Sequence, residues 1–291
     1  MATLRDIKNK IAAVRKTKQI TRAMNMVAAA KLRSTQTKME NFEPYAHKFA
    51  EVLGHLAGHM DRDEHPLLMT KESVSKLELL HFTADRGLCG SFNMNLILLG
   101  EKWLKEQTER GMDCSLTVVG KKGRDYFRRT DRKVTKTHTG IYGTVDIAFG
   151  KRMTSDFITR FLANEVDEVY MVFSRFVSVA KQIPTIVKLL PIEPPRIEAV
   201  PETKAEYLYE PSAEALLVDL LPKHISIQIL NAFLQQETSE HAARMAAMDN
   251  ATKNCSDLIE NLTLVYNKAR QAAITAELMD IVGGAEALRN A

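Results

Sequence analysis

Taking every third and fourth residue from Ile227 gives Ile227, Leu230, Leu234, Glu237, His241, Arg244, Met248, Ala251, Cys255, Leu258, Leu262, Val265, Ala269, Ala272, Ala276, Met279 and Gly283. Steps of three and four alternate throughout, which is the 3.5-residue period of a coiled-coil seam. No proline interrupts it after Pro222. One helix from Pro222 to Glu286 would be about 95 Å long, longer than a compact domain is wide. The pattern therefore predicts a projecting helix whose apolar stripe needs a partner. The other end of the chain offers one: Leu4, Ile7, Ile11, Val14, Lys18, Thr21, Asn25, Ala28, Leu32, Thr35, Met39 and Phe42 keep the same rhythm. The expected arrangement is an antiparallel pair of terminal helices, with the residues between them folded as a knob. Two amphipathic helices laid on a globular core are the alternative.

Two stretches of the seam depart from apolar character. Its middle is polar, with Glu237, His241 and Arg244 on one helix and Lys18, Thr21 and Asn25 on the other. Such layers fix register at a cost in stability if buried, or lie wet at the seam's edge. Towards the end the seam turns small, at Ala269, Ala272, Ala276 and Gly283. Small residues would let the partner approach closely and make a thin shaft, though alanine is also a strong helix former.

Between the helices the period changes. Strand-like segments at 77–84, 115–119, 133–139, 168–179 and 183–190 alternate with helical ones from Phe92 to Trp103, at 124–129 and at 145–166. That alternation predicts an α/β fold, Rossmann-like, with a mostly parallel sheet covered by helices. The expected domains are a first coiled-coil helix at 1–60, the α/β domain at 75–192, a linker at 193–211 and a second coiled-coil helix at 212–291. Pro44 predicts a kink or boundary in the first helix. Ser212 reads as the cap of a short helix ending at Pro222.

Composition narrows the function. No apolar run is long enough to span a membrane, and the N-terminus enters the helical pattern without a signal core. Cys89, Cys114 and Cys255 are too few and too far apart for a disulfide frame or a zinc site, and suggest a reducing compartment. The overall charge is only +4, but from Arg5 to Lys38 ten basic residues face one acid, Asp6. Carboxylates on a protein partner, a solvated helix face and nucleic acid are the readings, in that order; the helix lacks the aromatics of a nucleic-acid reader before Phe42. Gly120-Lys-Lys-Gly123 follows a strand but lacks the closing Gly-Lys-Ser/Thr of a phosphate loop, and no G-x-G-x-x-G occurs. No constellation for acid–base, nucleophilic or metal chemistry is present, so no catalytic residue, cofactor or metal ligand is expected.

Three segments carry a resemblance: Ile7 to Leu32 (IKNKIAAVRKTKQITRAMNMVAAAKL), Asp85 to Asn93 (DRGLCGSFN) and Leu264 to Ala285 (LVYNKARQAAITAELMDIVGGA). In this order they resemble the gamma subunit of the F-type ATP synthase, bacterial in type because the regulatory insert and transit sequence of chloroplast relatives are absent. The resemblance implies a non-catalytic central rotor shaft that couples rotation of a membrane c ring to the catalytic beta subunits. Implied partners are the alpha and beta subunits, the epsilon subunit and the c ring, without nucleic acid, at the cytoplasmic face of the bacterial inner membrane and attached only through the complex. Implied beta-subunit contacts are Arg270, Gln271, Thr275, Glu277, Arg244 and Met24. Implied c-ring contacts are Tyr207, Tyr209 and Glu210. A Rossmann-like enzyme with helical arms and a coiled-coil nucleic-acid binder remain alternatives on the residues alone.

Overall fold

The computed structural model describes residues 3–57, 65–71, 73–143, 147–193 and 212–289. The elements run α1 (Leu4–Ala57), β1 (Lys76–Phe82), α2 (Phe92–Glu109), β2 (Asp113–Val119), α3 (Lys121–Phe127), β3 (Lys133–His138), α4 (Ile147–Leu162), β4 (Glu168–Ser178), β5 (Lys181–Leu190) and α5 (Ala213–Arg289). By contact the chain forms two units. One joins Met1–Ala28 to Met245–Ala291, and the other is Ala29–Arg244. The division falls inside α1 and α5, because the inner part of each helix packs with the sheet.

In the Ala29–Arg244 unit, five strands lie in the order β3-β2-β1-β4-β5. The first three pairings are parallel and β4–β5 is antiparallel. Alternation along each strand sends side chains to two covered faces. Leu79, Leu116, Val118 and Val172 meet Phe92, Leu96 and Leu104 of α2 and Phe127 of α3. Leu80, Phe82, Val169, Met171 and Phe173 meet Met153 and Phe157 of α4, Leu53 and Leu56 of α1, and Leu221, Ile225, Ile229 and Phe233 of α5. Phe233 sits among Phe82, Tyr142 and Phe149, with ring centroids 5.3, 5.0 and 5.7 Å away. Here α5 is buried nearly all round, which is why its pattern is apolar beyond a single stripe. The packing also carries α5 straight through Pro222, so the expected short first helix is part of α5. Likewise α1 passes through Pro44 without ending.

In the other unit the two helices pair antiparallel. The hydroxyls of Thr21 and Thr252 are 2.8 Å apart, and Asn25 Nδ2 donates to Met245 O at 2.9 Å. The first helix buries what its period predicted, namely Ile7, Ile11, Thr21 and Ala28. The stripe on α5 differs by one residue. Leu258 and Val265 are exposed at 42% and 52%, while Ile259 and Tyr266 are half-buried. A helix of 3.6 residues per turn drifts against a strict 3.5 repeat, so the alternation marks the stripe's width but not its centre.

Candidate functional site

The pairing ends before α5 does. Each step back along α1 from Thr21 is a step forward along α5 from Thr252, so Leu4 comes level with roughly residue 269. Beyond that, every residue from Ile274 to Ala285 is exposed. Ala272, Ala276 and Gly283 are therefore not small seats for α1, as the seam implied; a Cβ at Gly283 or Gly284 would meet nothing within 4 Å. The bare segment is not polar. Ile274, Leu278, Met279, Ile281 and Val282 are between 49% and 68% exposed. Helical spacing puts Arg270, Ile274, Glu277 and Ile281 on one stripe and Gln271, Thr275, Leu278 and Val282 on the next. All four polar residues of these stripes are exposed, and none bonds another side chain among the described residues. An apolar surface with polar groups set into it is the composition of a protein-docking patch.

Arg244 stands elsewhere. It belongs to the sheet-containing unit and is 9% exposed. Its Nη2 donates to the carbonyls of Arg86 and Gly87 at 3.3 Å, its Nε donates to Gly87 O at 3.3 Å, and its Nη1 pairs with Glu240 at 2.8 Å. Burial pushes the Glu240 carboxyl up, against the pull of Arg244. Glu237 and His241 are buried in the same unit, 3.9 Å apart, so the polar middle of α5 is not a wet edge. Met24 is half-buried on α1. Tyr207, Tyr209 and Glu210 lie outside the described residues.

The segment from Asp85 to Asn93 is the other feature whose use sequence reasoning left open. Leu88 and Gly90 both take positive φ, 62° and 61°, and Leu88 is 62% exposed. Asn93 Oδ1 accepts from the Ala84 amide at 2.8 Å, closing the turn onto β1. Asp85 and Thr83 lie at the carboxyl ends of the parallel strands, where open α/β sheets bind their ligands. Here the chain fills that position itself. Asp85 accepts from the amides of Lys121 and Gly140, both at 2.9 Å, and Thr83 Oγ1 accepts from the Gly123 amide at 2.8 Å. Gly120 packs so closely that a Cβ would stand 2.1 Å from Thr83 O. The amides of Gly120–Gly123 that a pyrophosphate would need are thus already bonded, those of Lys121 and Gly123 to side chains and those of Gly120 and Lys122 to the carbonyls of His138 and Ala84. Among the described residues no group of His, Cys, Asp and Glu is placed to hold a metal ion, and no helix is long and apolar enough to cross a membrane.

A self-filled ligand position, a paired helix stem and an exposed apolar helix end are what the described residues bring together. A family described as ATP synthase matches residues 3–288. The ATP synthase gamma chain of Syntrophobacter fumaroxidans is 55% identical, over 99% of this chain and 100% of that protein. The gamma chain of Nitratidesulfovibrio vulgaris strain Miyazaki F is 51% identical over the same shares. A chain of the Euglena gracilis mitochondrial ATP synthase (OSCP/F1/c-ring, rotational state 3) has the same fold, with a TM-score of 0.67 at 22% identity, covering 98% of this chain and 94% of that one. The chain belongs to the ATP synthase gamma-chain family. Its part is the central stalk of the rotary enzyme, without a catalytic site of its own.

Proposed function

We propose that the bare segment of α5 is the face on which the catalytic beta subunits feel the rotor's orientation, as rotation driven by proton flow through the c ring turns it. The observation that carries this reading is the row Ile274, Leu278, Ile281 and Val282, exposed on a helix that has outrun its partner. The apolar row slides in an apolar sleeve, while Arg270, Gln271, Thr275 and Glu277 hydrogen-bond a beta-subunit loop at one angle of rotation and not at others. Moving a site from a 1:99 to a 99:1 preference takes about 5.5 kcal/mol of differential contact, the scale of a few charge-assisted hydrogen bonds. The exposed lysines and arginines of α1, with Met24 beside them, face acidic beta loops. Tyr207, Tyr209 and Glu210 meet the c ring, with the epsilon subunit alongside, and the complex holds the chain at the cytoplasmic face of the bacterial inner membrane.

Single-molecule rotation of a complex of alpha, beta and this chain tests the assignment. Arg270→Glu is expected to reduce torque by at least half in complexes that still assemble. Full torque with normal assembly would remove Arg270 from the contact.

A further inference from the structure

A file of polar side chains on α5 is turned towards the main chain of the α/β layer. Opposite Ser174 of β4 stands Pro184 of β5, which has no N–H to offer. Two α5 residues attend to the main chain of Ser174: Gln236 Oε1 accepts from its amide at 2.8 Å, and Ser239 Oγ donates to its carbonyl at 3.1 Å. Two turns further on, Arg244 takes the Arg86 and Gly87 carbonyls. Gln236 and Ser239 are fully buried, and Glu240 and Arg244 are 5% and 9% exposed. Apolar side chains at these positions would tolerate small rotations of α5 about its axis. Directed bonds to fixed carbonyls and an amide do not, because a bond weakens steeply once bent. The turn that Arg244 grips is itself held in an unfavourable conformation, with a non-glycine residue, Leu88, in the left-handed region.

We propose that Arg244 is a positioning residue for torque transfer: with Gln236 and Ser239 it keys α5 to the α/β layer, so that the helix cannot turn independently of the sheet. The inference rests on the central-stalk role, in which torque enters one part of the chain and is used at another. α5 is one continuous helix from Ala213 to Arg289, and these bonds hold its Gln236–Arg244 stretch to the main chain of the α/β layer. The guanidinium fork suits this task because it reaches two carbonyls and a carboxylate at once, where an ammonium acts as a point charge.

The test uses Arg244→Lys, which keeps the charge beside Glu240 and loses the fork. In the reconstituted complex, the number of ions pumped per ATP hydrolysed is expected to fall at least twofold. Amide exchange across Arg86–Gly90 is expected to quicken at least tenfold. Glu240→Gln, which keeps Arg244 but removes its carboxylate partner, should move both readouts the same way by a smaller factor, and it serves if Arg244→Lys does not assemble. An unchanged pumping ratio in both variants overturns the proposal, as does unchanged exchange at the turn. A change in thermal stability alone, with the ratio intact, assigns Arg244 a merely structural part and overturns it too. Failure of the Arg270→Glu test leaves this proposal standing, since that test reads the far end of the same helix.

Discussion

At the scale of single residues, the polar groups inside the α/β layer set how the fold responds to pH. His81 is fully buried between β1 and α2, with Nε2 against Leu96 O at 3.0 Å, and burial lowers its pKa to about 4. His224 on α5 is stacked on Phe49 and lowered likewise to about 4. Both are neutral in the folded chain at pH 6, where the unfolded chain begins to bind protons. A folded pKa below the unfolded one gives stability that is full above about 6.5 and lost as pH falls towards 4. The loss is about 1.4 kcal/mol per pH unit for each histidine. Unfolding in urea at stepped pH should show that slope, and His224→Phe should halve it. Glu78 adds a separate, more acidic limb. Burial alone would raise its pKa, but Arg160 at 2.9 Å and the hydroxyls of Ser115 and Thr117 hold it below the usual carboxylate range. Its stabilising share is therefore present above the ordinary Glu pKa and disappears at lower pH than that of the histidines. None of this was legible in the sequence, where His81, Glu78 and Arg160 are merely scattered charged residues. Their burial follows from strand register and from the docking of α4.

At the scale of elements, the helical period gave the two long helices, and strand–helix alternation gave the mostly parallel sheet. What the period did not contain was phase. It chose Leu258 and Val265, and the half-buried stripe runs through Ile259 and Tyr266. Nor did it contain offset. The bare length of α5 depends on which residue of α1 lies opposite Thr252, and two seams of equal rhythm can be slid past one another by whole heptads. The prolines misled for a different reason. A missing amide at Pro222 costs the helix one bond, but Leu217, Leu221, Ile225 and Ile229 are anchored in one core on both sides of it. The stripe's phase has a direct check. Ile259→Ala should destabilise the helix pair by about 1–2 kcal/mol, while Leu258→Ala should cost under about 0.5 kcal/mol, as surface substitutions do. Equal costs in equilibrium unfolding would restore the stripe that the alternation drew.

At the scale of the whole molecule, the candidate contacts divide by what surrounds them. The absence of nucleotide and catalytic motifs was readable in the chain and has a structural counterpart in the Asp85 and Thr83 side chains, which take the amides a phosphate would use. Arg270, Gln271, Thr275 and Glu277 were readable through family resemblance, and all four lie exposed on α5. Arg244 was readable as important, with burial one of two readings, because a seam position says nothing about which neighbour the side chain meets. The central-stalk role calls for terminal helices that turn as one body, and the Thr21–Thr252 and Asn25–Met245 contacts are where the two are tied.

Thr21 and Thr252 face each other across that pair with their oxygens 2.8 Å apart, close enough that Thr21→Cys with Thr252→Cys can be joined by a disulfide. Rotation rate and torque of the complex, measured on single molecules before and after oxidation, should be the same within error. Rotation that stops on oxidation and returns on reduction would mean that α1 and α5 move against each other during the cycle, and would contradict a rotor whose two terminal helices turn together.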